Sequence, residues 1–185
     1  MISNLEVELT PIEGVIIIKP KVYKDKRGFF TETYSKESYY SIGVKEEFVQ
    51  DNHSQSQKNT LRGLHYQSKK PQGKLVRVVR GEVMDVALDI RKGSKTFGKH
   101  VSVLLNDKNF HQLYMPPGIA HGFYVLSESV DFEYKCTDFY SPEDEKGVLW
   151  NDSELDINWP SKNPIVSEKD KNYRKLSDIP EEDLL

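Results

Sequence analysis

The sequence predicts an all-β protein, a sandwich or barrel of short strands forming one domain. Three observations carry that prediction. Apolar and β-branched runs fill the middle of the chain, and turn clusters interrupt them roughly every ten residues. One run, residues 82–90, alternates cleanly, with Met84, Val86, Leu88 and Ile90 on one face and Val83, Asp85, Ala87 and Asp89 on the other. The 185 residues suffice for one well-buried core, and they contain no internal repeat, heptad pattern or low-complexity segment.

The elements follow in order. Residues 15–18 are a β-branched strand ended by Lys19-Pro20. Residues 24–28 are turn chemistry, with Gly28 as the permissive position, and residues 29–34 alternate as a second strand. Ser35 is placed to N-cap a short helix that stops at Gly43. Residues 48–54 are extended but polar, and residues 55–60 are expected to be a loop. Strands are then expected at 61–67, 74–79, 82–90, 100–105, 110–115, 122–126 and 130–136. Beyond Tyr140 the chain turns polar: 141–145 reads as a loop, 155–160 as a short apolar ledge, and 161–185 as a charged tail with one helical turn.

Composition excludes several functions. A net charge of -3 lacks the basic excess of a nucleic-acid binder, though a local basic pocket for a phosphorylated ligand fits. Cys136 is the one cysteine, so no intramolecular disulfide and no thiolate metal cluster can form within the chain. No apolar run approaches the ~20 residues of a membrane helix, and no secretory leader pattern opens the chain. The expected location is cytoplasmic, with no membrane partner.

Candidate chemistry centres on residues 61–67 and 74–78, where His65, Arg62 and Lys74 lie on neighbouring extended segments. Taken alone, each has an ordinary structural reading. His65 sits with Gln67 on one face, opposite Leu64 and Tyr66, and His121 is carried into a strand by a Pro-Gly turn. Neither histidine has a second histidine two residues away, so no metal is expected. Tyr134 shares a face with Val130, Phe132 and Cys136 and is expected to point inward. Arg62 and His65 are three apart, which strict alternation sends to opposite faces; a bulge at Gly63 would bring both inward, whereas a regular strand would not.

Read together, the segments resemble a family. Arg27-Gly28-Phe29-Phe30 with Glu32, Phe48-Val49-Gln50-Asp51-Asn52 with Ser54, Leu61-Arg62-Gly63-Leu64-His65-Tyr66-Gln67 and Gln72-Gly73-Lys74-Leu75-Val76 are similar to its motifs. So are Asp85-Val86-Ala87-Leu88-Asp89-Ile90-Arg91, Pro117-Gly118-Ile119-Ala120-His121-Gly122-Phe123, Tyr134-Lys135-Cys136-Thr137, Trp150-Asn151-Asp152 and Ser167-Glu168-Lys169-Asp170. The chain is thereby identified as resembling the dTDP-4-dehydrorhamnose 3,5-epimerases from about residue 12 to about residue 178.

The resemblance implies a cupin-like jelly-roll barrel, a dTDP-sugar substrate, and a homodimer in which an N-terminal segment crosses to the partner. It also implies inversion of C3 and C5 of dTDP-4-dehydro-6-deoxy-D-glucose without metal or redox cofactor. Both carbons flank the C4 ketone, so each proton is acidified and leaves an enolate. Inversion then needs a base on one face, an acid on the other and a cation for the enolate oxygen. By the resemblance His65 is the base, Asp170 the carboxylate that orients it, Lys74 the cation and Tyr134 the proton donor. Arg27, Glu32, Gln50, Asp51, Asn52, Arg62, His121, Glu145 and Lys169 match substrate contacts, and Phe29 or Tyr140 would pack on the thymine. Two departures are minor: the loop 68–71 is a residue shorter than in some members, and Lys171 stands where many have arginine. The alternatives are a C3-only or C5-only epimerase, a sugar-nucleotide 3,4-ketoisomerase, or a non-enzymatic sugar-binding barrel.

Overall fold

The structure, a computed structural model, describes residues 5–185. Among these residues strands run in the order β1 (Leu5–Leu9), β2 (Ile16–Pro20), β3 (Val22–Asp25), β4 (Gly28–Thr31), β5 (Gln50–Gln57), β6 (Leu61–Gln67) and β7 (Lys74–Arg80). They continue as β8 (Glu82–Asp89), β9 (His100–Asn106), β10 (Gln112–Met115), β11 (Ile119–Val125), β12 (Ser129–Cys136) and β13 (Glu145–Gly147). Helix α1 (Lys36–Ser41) follows β4, and α2 (Glu168–Lys171) precedes two short 3-10 turns near the end. Two antiparallel sheets face each other, one ordered β1-β2-β10-β7-β12-β5 and the other β13-β6-β11-β8-β9, while β3 and β4 form a separate hairpin. The architecture is the expected all-β, cupin-like barrel.

Alternation along β8 explains why the sheets can be covered on both sides. Val83 and Ala87 enter the barrel interior, where they pack with Val76, Leu113 and Phe132 of the opposite sheet. Val86, Leu88 and Ile90 face outward, and the chain after residue 147 folds over them with Val148, Leu155 and Leu176. On the outer face of the six-stranded sheet, Ile16, Ile18, Leu75 and Tyr114 are covered likewise by Tyr39 of α1 and by Val44. Truncating a core aromatic such as the fully buried Phe132 would cost about 3–5 kcal/mol.

Several expectations need correction. The loop expected at 55–60 shrinks to a turn at 58–59, because β5 stays paired with β12 through Gln57. The 29–34 strand ends at Thr31 and belongs to a hairpin with β3, which the sequence reading missed. Strand β11 starts at Ile119, so His121 lies within it and not before it. Glu145, expected in a loop, opens β13 on the edge beside β6. Strand β1 was also missed; its Val7 lies opposite Ile18. The tail is no solvated charge run: the Asp152 carboxylate accepts the Leu176 N–H at 2.9 Å and pins the terminal segment to the barrel.

Candidate active site

Between the sheets, at the end not filled by the apolar core, lies a cavity of about 390 Å³. Phe123 and Phe132 stack at 4.3 Å between ring centres among its lining residues, one from each sheet. Strands β6 and β11 supply one wall with Arg62, His65 and His121. Strands β7, β12 and β5 supply the opposing wall with Lys74, Tyr134, Gln50 and Asn52. Tyr140 and Glu145 complete the rim.

The register of β6 settles the facing of Arg62 and His65. His65 pairs with His121 and Arg62 with Phe123, so three steps on β6 oppose two on β11. The extra residue is a bulge, and Gly63 takes φ 123°, where a side chain is strained. A Cβ there would also lie 2.5 Å from Gly122 Cα. Both Arg62 and His65 therefore reach the cavity. Arg62 is steadied by β5, its Nε donating to Ser56 Oγ at 2.9 Å.

His65 is held from behind. Asp170, only 3% exposed, stands with Oδ1 2.8 Å from His65 Nε2 and accepts the Gly63 N–H on Oδ2 at 3.2 Å. Burial pushes the Asp170 carboxyl up, but the hydrogen bond and charge of His65 and the Gly63 N–H outweigh it and hold the carboxyl below its usual range. An ionised carboxylate only accepts, so Nε2 carries the proton and a neutral ring keeps its lone pair on Nδ1. Helix α2 brings Asp170 there: Ser167 caps it by accepting the Asp170 N–H at 3.1 Å.

Lys74 is 9% exposed, and its ammonium makes no hydrogen bond or ion pair among the described residues. Burial pushes its ammonium down, with weaker opposing pulls from Cys136, Glu145 and Asp85. Its neighbour across the strands is Cys136, whose thiol burial pushes up. Burial likewise pushes the Tyr134 phenol up, so it stays protonated and can donate. His121 points its Nε2 at the fully buried Asp85 at 2.9 Å. Burial pushes that imidazole down against the raising effect of Asp85.

Among the expected binding residues, Gln50, Asn52, Arg62, His121, Tyr140 and Glu145 line the cavity. Lys169 stands behind Glu145 in a 2.5 Å ion pair, and Tyr140 donates to the same carboxylate. Asp51 instead points away from the cavity and pairs with Lys135 at 2.8 Å. Arg27, Phe29 and Glu32 lie outside it as well: Arg27 is paired with Asp25 in the β3–β4 turn, and Phe29 packs on Phe110. Of the two aromatics proposed for the thymine, Tyr140 alone borders the cavity of its own chain. The sequence reading missed Asp85 as the partner of His121, and Gln67, Gln72 and Cys136 as lining groups. Among the described residues no group of three or more His, Cys, Asp or Glu side chains could hold a metal ion.

A base-ready imidazole facing a phenol and a lone ammonium suits carbon acid chemistry, and known proteins share the whole frame. A family model described as dTDP-4-dehydrorhamnose 3,5-epimerase matches residues 9–178. The Shigella flexneri dTDP-4-dehydrorhamnose 3,5-epimerase is 52% identical over 94% of this chain and 97% of its own. The Salmonella typhimurium protein of that name is 54% identical over 87% of this chain and 90% of its own. The crystal structure of the Legionella pneumophila dTDP-6-deoxy-D-glucose-3,5-epimerase, in complex with dTDP-4-keto-L-rhamnose, superposes with a TM-score of 0.95. It is 49% identical and covers 97% of both chains. Over fold, ordered motifs and length alike, this chain belongs to the dTDP-4-dehydrorhamnose 3,5-epimerase family, whose members are carbohydrate epimerases of the isomerase class.

Proposed function

We propose that the chain, acting as one domain, inverts C3 and C5 of dTDP-4-dehydro-6-deoxy-D-glucose to give dTDP-4-dehydro-L-rhamnose. The observation that carries this reading is the pairing of His65 with Asp170 on one wall, across the cavity from Tyr134 and Lys74. His65 Nδ1 takes the proton from the carbon next to the ketone, a role that typically contributes ~10²–10⁴ in rate. The Lys74 ammonium, unpaired among the described residues, stabilises the enolate oxygen. Tyr134 returns a proton from the opposite side; once His65 has released its proton to solvent and the Tyr134 phenolate has taken one back, the steps repeat at the second carbon. Arg62 offers a guanidinium fork to the pyrophosphate, with Gln50, Asn52, His121 and the Glu145–Lys169 pair as further contacts. Tyr140 packs on the thymine. Family naming favours the double inversion: the relatives at 42–54% identity are 3,5-epimerases, whereas a Streptomyces niveus 3-epimerase stands at 36%.

The β3–β4 hairpin supports a homodimer. Phe29 and Phe30 are 60% and 69% exposed at its tip, an apolar surface that a second copy would cover. In this reading the hairpin crosses to the partner and presents Arg27, Phe29 and Glu32 at the other cavity, and Asp51 lies towards that contact. No helix among the described residues is long and apolar enough to cross a membrane, which agrees with a cytoplasmic enzyme. The test is an NMR run in deuterated water with the 4-keto sugar nucleotide and no added metal. Deuterium at both C3 and C5 supports the reading; deuterium at one carbon makes the protein a mono-epimerase, and none at either overturns the mechanism.

A further inference from the structure

We propose that Tyr173 is a positioning residue that fixes the His65 imidazole, and that position 147 is glycine to admit its ring. The inference rests on His65 acting as the base. Strand β13 pairs with β6 so that Gly147 sits directly opposite His65. Opposed residues of an antiparallel pair project to one face, close enough for their side chains to touch. Gly147 projects nothing, and Tyr173 occupies the vacated space. A Cβ built on Gly147 would lie 2.3 Å from Tyr173 Cε2 and 2.5 Å from both Cδ2 and Cζ, so the ring lies against the glycine backbone.

From that place Tyr173 meets His65 edge to face, with ring centres 5.8 Å apart and planes at 73°. Tyr173 follows Asp170 by three residues, so α2 and the turn after it deliver both supports of the imidazole. Asp170 fixes one ring nitrogen but leaves the ring free to swing about that bond. The Tyr173 edge blocks the swing on the β13 side, and His121, opposite His65 on β11, flanks the other. The ring and not the hydroxyl makes this contact. The hydroxyl is buried without a hydrogen-bond partner among the described residues, and burial, then the Glu145 and Asp170 carboxylates, push it up so that it stays protonated. A small displacement of a base from its carbon can cost about 10²-fold in rate, so the loss of one flank should be visible in turnover.

The test is steady-state kinetics on the 4-keto sugar nucleotide with Tyr173→Phe, Tyr173→Leu, Gly147→Ala and His65→Asn. Tyr173→Phe should stay within about twofold of the parent in kcat, because it keeps the ring edge. Tyr173→Leu should lose roughly 10- to 100-fold in kcat with little change in KM. Gly147→Ala keeps the tyrosine but displaces it, and should show the same split. Parent-like kcat in Tyr173→Leu, or Tyr173→Phe as impaired as Tyr173→Leu, overturns the proposal. If Tyr173→Leu does not fold, parent-like kcat in Gly147→Ala overturns it equally. Turnover by His65→Asn would instead refute the base assignment, a failure distinct from that of the Tyr173 variants.

Discussion

Replacing Lys74 by methionine should separate stability from catalysis. The ammonium is almost wholly buried and has no partner among the described residues, so the fold carries its desolvation cost without a compensating bond. A buried polar group left unpaired costs about 1–3 kcal/mol, and methionine fills similar space without that cost. For a chain of this length each kcal/mol moves the melting point by about 2–4 °C, so Lys74→Met should melt about 2–12 °C higher. The gain should depend on pH. Burial lowers the lysine's pKa in the fold, so the folded state binds fewer protons than the unfolded chain and the parent gains stability as pH rises. The advantage of Lys74→Met is therefore greatest below the folded pKa and shrinks as pH climbs towards the unfolded value near 10.4. Turnover should fall by about 10²–10³, the usual loss when one group stabilising an oxyanion is removed. Calorimetry across pH, with turnover at neutral pH, measures both. A less stable variant, or one that keeps a tenth of the parent's activity, would refute the placement of Lys74 as an unpaired cavity cation.

Gly63→Ala should lower stability by about 3 kcal/mol and the melting point by roughly 6–12 °C, because the new Cβ meets β11 backbone at a φ of 123°; thermal melts check this. Asp170→Asn should cut kcat by about 10²–10⁴, since an amide no longer fixes which imidazole nitrogen holds the proton. The same variant should lose less stability than the parent on acidification below about pH 4. The Asp170 carboxyl is held low in the fold, so its contribution is present above the unfolded pKa near 3.9 and disappears as pH falls through the folded one. Acid titration followed by circular dichroism reads the difference.

Much of the barrel was legible because its signals are local. The alternation of residues 82–90 separated the face of Val83 and Ala87, which the fold turns inward, from that of Leu88, which it turns outward, and the same logic aimed Tyr134 inward. The Gly63 bulge followed from the conflict between a spacing of three and a shared face. What alternation could not supply was contact across long sequence separations. His65 and Asp170 are 105 residues apart, and without the family motifs Asp170 is one more acid in a charged segment. Gly147 reads as a loop glycine until β13 is seen beside β6 and Tyr173 is seen over it. The β3–β4 hairpin was hidden for another reason: its strands are four residues each and largely exposed, so no buried face imposes a pattern.

Hydrogen–deuterium exchange into the substrate by His65→Asn and Tyr134→Phe, followed by NMR alongside product formation, tests the division of labour between the two walls most directly. With His65 as base and Tyr134 as donor, His65→Asn should exchange neither C3 nor C5. Tyr134→Phe should still exchange a proton at a substrate carbon while net inversion falls sharply. Product formed at the parent rate by Tyr134→Phe, or exchange at the parent rate in His65→Asn, would contradict it.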